Sequence, residues 1–156
     1  MESQIKIVCN LIQLCLRGAV QGVNATEPKR LLFTSTIAVV GRYPTVNLSG
    51  PVDVPEVAVE PHNTEEFGYP EAKWVCEQIL LKANELFGVK TYNLKMPLLR
   101  TSSVRIGQLT GPEQSGSWNE TEHFPIIVRT SQMIKALPDI EGVSAFNTYF
   151  ISQRAF

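Results

Sequence analysis

This sequence predicts an α/β fold built on a parallel sheet, and three observations carry the prediction. Apolar side chains recur at three- and four-residue steps over residues 4–17, the stripe of an amphipathic helix. Residues 30–40 form a nearly continuous apolar, β-branched run, and a strand without polar alternation is usually buried on both faces, as in a parallel sheet covered by helices. Helix and strand patterns then alternate along the chain, the order that helical crossovers between parallel strands impose. The length of 156 residues suits one domain with a substantial core. Residues 1–140 are assigned to that domain, and residues 141–156, which show no convincing period, remain an unassigned tail.

Ile5, Val8, Leu11, Ile12, Cys15 and Leu16 form the stripe of the first helix, which Gly18 and Gly22 are expected to end. A loop through Pro28 leads into the strand, whose apolar run is interrupted by Thr34-Ser35-Thr36. Hydroxyls in a buried strand need a reason to be there. Pro44, Pro51, Pro55 and Pro61 make residues 41–63 an irregular surface connection. Asn63 or Thr64, followed by Glu65 and Glu66, suits the cap of a short turn. The main helix then runs from Tyr69 or Pro70 to Phe87 and stops at Gly88. Trp74, Ile79, Leu80, Leu81, Ala83 and Leu86 supply its apolar contacts, and Glu77 stands four residues beyond Lys73 for an i,i+4 pair. Residues 104–109 read as a second strand ending in the turn Thr110-Gly111-Pro112. A loop over residues 113–123 precedes a helix over 125–137, terminated by Pro138.

Composition narrows the function classes. A net charge of −1 and the absence of long like-charge runs argue against nucleic acid as a partner, which needs clustered Lys and Arg. No stretch reaches the roughly 20 apolar residues of a membrane span, and no secretory leader pattern is present, so a soluble, cytoplasmic chain is expected. Cys9, Cys15 and Cys76 are odd in number, lack C-x-x-C spacing and lie among apolar residues. They read as reduced core thiols, with no metal set. His62 and His123 sit in polar, loop-like surroundings, and Glu56, Glu60, Glu65 and Glu66 read as a solvated acidic surface.

The residues that carry chemistry are Tyr69 and Lys73. Four apart on a helix, they project from one face. Reduction of a carbonyl needs a group that polarises the oxygen and protonates it as charge develops. A tyrosine titrates near pH 10 unaided, and a neighbouring ammonium favours its phenolate. Lys73 is spaced to play that part and to bond a nicotinamide ribose. A hydroxyl at the carboxyl end of the buried strand, Thr36 or Ser35, is placed to hold the substrate oxygen, because open α/β sheets bind ligands outside their strand carboxyl ends. The same Tyr-to-Lys spacing also arises at the amphipathic edge of ordinary helices.

Taken together, Phe33-Thr34-Ser35-Thr36-Ile37-Ala38-Val39-Val40-Gly41 and Tyr69-Pro70-Glu71-Ala72-Lys73-Trp74-Val75-Cys76-Glu77 resemble the extended short-chain dehydrogenase/reductases over residues 5–138. Val104-Arg105-Ile106-Gly107-Gln108-Leu109-Thr110-Gly111-Pro112, with Gly116-Ser117-Trp118-Asn119 and Phe124-Pro125, is similar to the thioester-reductase domains of fungal non-ribosomal-peptide-synthetase-like adenylating reductases. The resemblance implies that Thr36, with Ser35 as the fallback, Tyr69 and Lys73 form a catalytic triad. It implies that Tyr69, Lys73, Ile106, Gly107 and Gln108 meet the cofactor, NADPH. The loop through Trp118 and the helix from Pro125 would shape the substrate side. The reaction implied is reduction of an acyl thioester, held on a phosphopantetheine-bearing carrier domain, to an aldehyde or an alcohol.

The family opens with a strand and a G-x-x-G-x-x-G turn, and no such pattern stands in this sequence. The expected fold is therefore a partial Rossmann-like, doubly wound parallel sheet lacking the first βαβ units. Without backbone donors for the diphosphate, the chain is expected to bind NADPH feebly and to be a truncated, weakly active or inactive fragment. An exposed sheet edge invites self-association. Two other readings stay open: a sugar-nucleotide epimerase or dehydratase, which shares the tyrosine and lysine, and a non-catalytic interaction module.

Overall fold

The structure, a computed structural model, describes residues 2–21, 27–47, 53–88, 97–107, 115 and 117–136. These residues fall into two units divided after Ile106.

The first unit begins with helix α1 (Glu2–Gln21). Val8, Ile12 and Ala19 are its buried positions. The helix passes through Gly18 instead of ending there, correcting the expected stop. One glycine costs a helix only about 1 kcal/mol, which the packed stripe outweighs, and Gly22 lies outside the described residues.

Strand β1 (Lys29–Thr36) is shorter than its apolar run. The segment Ile37–Val40 turns into a 3-10 helix, and the Thr36 hydroxyl oxygen caps it by accepting from the Ala38 backbone N–H at 3.3 Å. The expected strand over residues 30–40 thus ends at Thr36, because the threonine offers the backbone a local alternative to sheet pairing. Burial alternates along β1. Leu31 and Phe33 pack on the core, Ser35 is buried, and Leu32 is 64% exposed. Burial on both faces is not what β1 shows among the described residues.

The described residues of the connection that follows carry local helical structure that its prolines did not predict. It contains a short helix α2 (Tyr43–Val46) and a 3-10 turn (Pro61–Asn63). Asn63 ends that turn, and the buried Thr64 hydroxyl donates to the Val39 carbonyl at 3.0 Å. Glu66 forms an ion pair with Arg42.

Helix α3 (Gly68–Phe87) starts one residue before the expected Tyr69 and stops at Gly88 as expected. A side chain at Gly88 would place its Cβ 2.4 Å from the Asn84 carbonyl oxygen. Pro70 is tolerated in the first turn because helix-initial N–H groups have no intrahelical acceptor. The buried stripe is Ala72, Cys76, Leu80 and Ala83, joined by Pro70 and Glu77. Leu81 and Leu86, expected as contacts, are 42% and 56% exposed. Trp74 packs on a separate cluster around Val39, Val40 and Val59, its indole N–H donating to the Val59 carbonyl at 2.8 Å.

Strand β2 (Leu99–Ile106) begins five residues before the expected Val104. It pairs parallel to β1, with Lys29 opposite Leu99 and Thr36 opposite Ile106. Helix α3 is therefore the crossover of a β-α-β unit, and the parallel sheet foreseen from the sequence is present as two strands. The main core joins Val8 and Ile12 of α1, Cys76, Leu80 and Ala83 of α3, and Leu99 of β2. The Thr101 hydroxyl donates to the Leu80 carbonyl at 2.8 Å and ties β2 to α3. Leu80 is 1% exposed, so Leu80→Ala is expected to cost about 2–5 kcal/mol, read as a lowered denaturant midpoint.

In the second unit, helix α4 (His123–Ile134) ends at Lys135, whose φ of 51° is left-handed. The expected helix over 125–137 is thus shifted toward its N-terminus. Pro138, the turn at Thr110-Gly111-Pro112 and the tail lie outside the described residues. Ahead of α4, Trp118 stacks on Phe124 with ring centroids 5.1 Å apart and donates to Glu122 Oε2 at 3.1 Å.

Candidate functional site

The parallel register gathers the sequence-predicted residues of the first unit at one end of the sheet. Thr36 and Ile106 are paired as the last residues of β1 and β2. Gly107 follows Ile106 in the chain, and Gln108 lies outside the described residues. Helix α3 returns from the carboxyl end of β1 to the start of β2, so its first turn, with Tyr69, belongs to that end.

Lys73 reaches across to the strand. Its Nζ donates to the Thr34 carbonyl oxygen at 2.8 Å and stands 4.7 Å from the centre of the Phe33 ring and 5.6 Å from that of Tyr69. Two aromatic faces within about 6 Å favour a cation there. Tyr69 and Lys73 thus share one face of α3, as their spacing predicts, and Tyr69 is 48% exposed. The two strand hydroxyls differ. Thr36 Oγ1 engages its own 3-10 helix. Ser35 Oγ is buried and has no hydrogen-bond partner among the described residues, on the strand face that carries Leu31 and Phe33.

The sequence reading missed the charged pair beneath this end of the sheet. Glu77 does not pair with Lys73. Both of its oxygens are taken by Arg105 of β2: Nε donates at 3.1 and 3.3 Å, and Nη2 donates at 2.7 Å. The side chains are 16% exposed for Arg105 and 7% for Glu77. A fork of two donors satisfies a buried carboxylate better than the single ammonium of a neighbouring turn. A signal was available, because an arginine between Val104 and Ile106 in a strand implies a buried acid to receive it.

Burial pushes the Cys76 thiol above its ordinary value of 9.0; the Lys73 ammonium opposes this, and Cys9 and Glu77 add to it. Cys9 and Cys15 are partly buried, and all three cysteines are free thiols. The unfolded thiol ionises before the folded one does. Stability from Cys76 is therefore fully present below about pH 9 and lost as pH rises through the raised folded value. Urea titrations across that alkaline range are expected to show a decline that Cys76→Ala lessens.

His62 and His123 are exposed. No helix among the described residues is long and apolar enough to cross a membrane, and no described group of three or more His, Cys, Asp or Glu is placed to hold a metal ion.

An α/β unit with a tyrosine and lysine at the first turns of its crossover helix, beside the carboxyl ends of two parallel strands, defines the class of site. No family model matches the chain. It is 35% identical over 142 residues to a non-reducing polyketide synthase, pkdA, of Emericella nidulans, covering 91% of this chain and 5% of that protein. An adenylate-forming reductase of Aspergillus terreus is 38% identical over 113 residues, covering 72% of this chain and 10% of its own length. A 3-methylorcinaldehyde synthase of Sarocladium schorii is 34% identical over 146 residues, covering 90% of this chain and 5% of its own. The chain is thus a homologue of one segment of fungal polyketide synthases, adenylate-forming reductases and non-ribosomal-peptide-synthetase-like enzymes, consistent with a reductase domain of such proteins. It spans about a tenth or less of the length of these three relatives.

Proposed function

We propose that the chain is part of an NADPH-dependent reductase domain that reduces an acyl thioester, held on the phosphopantetheine arm of a carrier domain, to an aldehyde or alcohol. The observation that carries this reading is the placement of Lys73 between the Thr34 carbonyl and the Tyr69 ring at the carboxyl end of the sheet. Two relatives lend it chemistry through their names, one a reductase and one an aldehyde synthase.

The residues present fit the nicotinamide and ribose end of the nucleotide. Lys73 offers an ammonium that donates to the Thr34 carbonyl oxygen at 2.8 Å, and a ribose hydroxyl is an equivalent acceptor. Nothing in the sequence supplies the glycine turn for the diphosphate, so feeble nucleotide affinity is part of the proposal. When bound, a nicotinamide nucleotide would supply the hydride for reduction of the thioester carbonyl. Tyr69 gives its phenolic proton to the carbonyl oxygen, forming a hemithioacetal that releases the carrier thiol and an aldehyde. Thr36 already accepts a bond from Ala38, which leaves its O–H hydrogen to donate to the same substrate oxygen. Ile106, paired with Thr36 at the end of β2, would meet the nicotinamide in this reading, and a partial Rossmann-like sheet would provide the frame.

The experiment is NADPH oxidation by the 156-residue chain at high nucleotide concentration, with an acyl-pantetheine thioester as substrate and product analysis by mass spectrometry. Thioester-dependent oxidation with aldehyde formed is the expected result. Oxidation independent of thioester, or NADPH shown to be bound with no thioester-dependent oxidation, would overturn the reading in favour of a non-catalytic module.

A further inference from the structure

We propose that Arg105 is a positioning residue for Lys73: by occupying both oxygens of Glu77, it keeps the Lys73 ammonium at the carboxyl end of the sheet. The argument starts from spacing. Lys73 and Glu77 are one helical turn apart and would pair on an isolated helix. Glu77 is 7% exposed in its side chain, so its carboxylate must find a cation within the protein. In the folded unit that cation is Arg105, whose guanidinium reaches both oxygens from β2.

Lys73 is thereby left to partners other than Glu77. Its Nζ bonds the Thr34 carbonyl and lies against Phe33 and Tyr69. Without the guanidinium, the buried carboxylate of Glu77 would be left unpaired, and the ammonium one turn away on the same helix is the cation placed to meet it. A single backbone carbonyl is a weaker partner for an ammonium than a desolvated carboxylate. Lys73 would leave Tyr69 and take up the pairing that its spacing predicts. Arg105 touches neither substrate nor nucleotide in this scheme; it acts through Glu77.

Its role in function rests on the reading of Lys73 as the partner of Tyr69, but the position of Lys73 is measured without turnover. Protons held over an aromatic ring are shifted upfield by its ring current, so the ε-methylene resonance of Lys73 reports where the ammonium lies. It is followed by NMR in lysine-labelled protein and assigned through Lys73→Arg. Arg105→Gln is expected to abolish the upfield displacement. Glu77→Gln, which disrupts the same ion pair but leaves no carboxylate, is expected to keep it. A purely structural ion pair would make the two variants alike, so displacement kept in both or lost in both would overturn the proposal.

Arg105→Lys retains a buried cation without the fork, and it is expected to show an intermediate displacement. Should Arg105→Gln not fold, a wild-type resonance in Arg105→Lys would overturn the proposal in its place. Movement of Lys73 in these variants, with thioester reduction indifferent to Lys73, would refute the functional reading and leave the positioning intact.

Discussion

Tyr69→Phe is expected to lower thioester-dependent NADPH oxidation by about a hundred- to ten-thousand-fold while leaving nucleotide binding nearly unchanged. The substitution removes one O–H and keeps the ring that lies 5.6 Å from Lys73 Nζ. Because Tyr69 is 48% exposed, losing its hydroxyl leaves no buried group unsatisfied, and the fold should be unaffected. Lys73→Ala behaves differently. It removes both the cation beside Tyr69 and the donor proposed for the ribose, so binding and turnover are expected to fall together. Fluorescence titration with NADPH gives the first quantity, and loss of NADPH absorbance gives the second. Equal turnover in Tyr69→Phe and wild type would remove Tyr69 from the role of proton donor.

Arg105→Met is expected to destabilise the protein by about 3–5 kcal/mol, whereas Arg105→Met combined with Glu77→Leu should return close to wild type. The cost comes from the partner left behind. A carboxylate only 7% exposed, stripped of three donor contacts, keeps its desolvation penalty and loses its compensation. Removing both charges removes the penalty as well. Guanidinium unfolding followed by tryptophan fluorescence measures this directly. A double variant no more stable than the single one would mean that packing of the arginine stem, rather than charge, holds β2 on α3.

Several elements were legible because their signals are local. The stop of α3 at Gly88 follows from a glycine after a periodic run, and the structure supplies the cause in the approach of the Asn84 carbonyl. The common face of Tyr69 and Lys73 follows from helical geometry. Boundaries decided by competition were harder to read. The apolar run after Thr36 continues as far as Val40, yet a threonine cap on the Ala38 N–H ends β1 there. The apolar contacts of α3 were partly misassigned, since Leu81 and Leu86 face outward while Ala72 and Cys76 carry the packing. Helical period fixes which residues share a face, not which face a sheet will cover.

By itself the sequence determined the α/β alternation, the parallel pairing of its two strands and the juxtaposition of a phenol with an ammonium. Each of these depends on backbone periodicity or on the length of a crossover. Only the tertiary structure decided the partner of Glu77. On the helix alone Lys73 is the nearest cation, but Arg105, 28 residues away, arrives when β2 docks. Docking removes water from the carboxylate, and a desolvated carboxylate gains most from the guanidinium fork that can meet both of its oxygens.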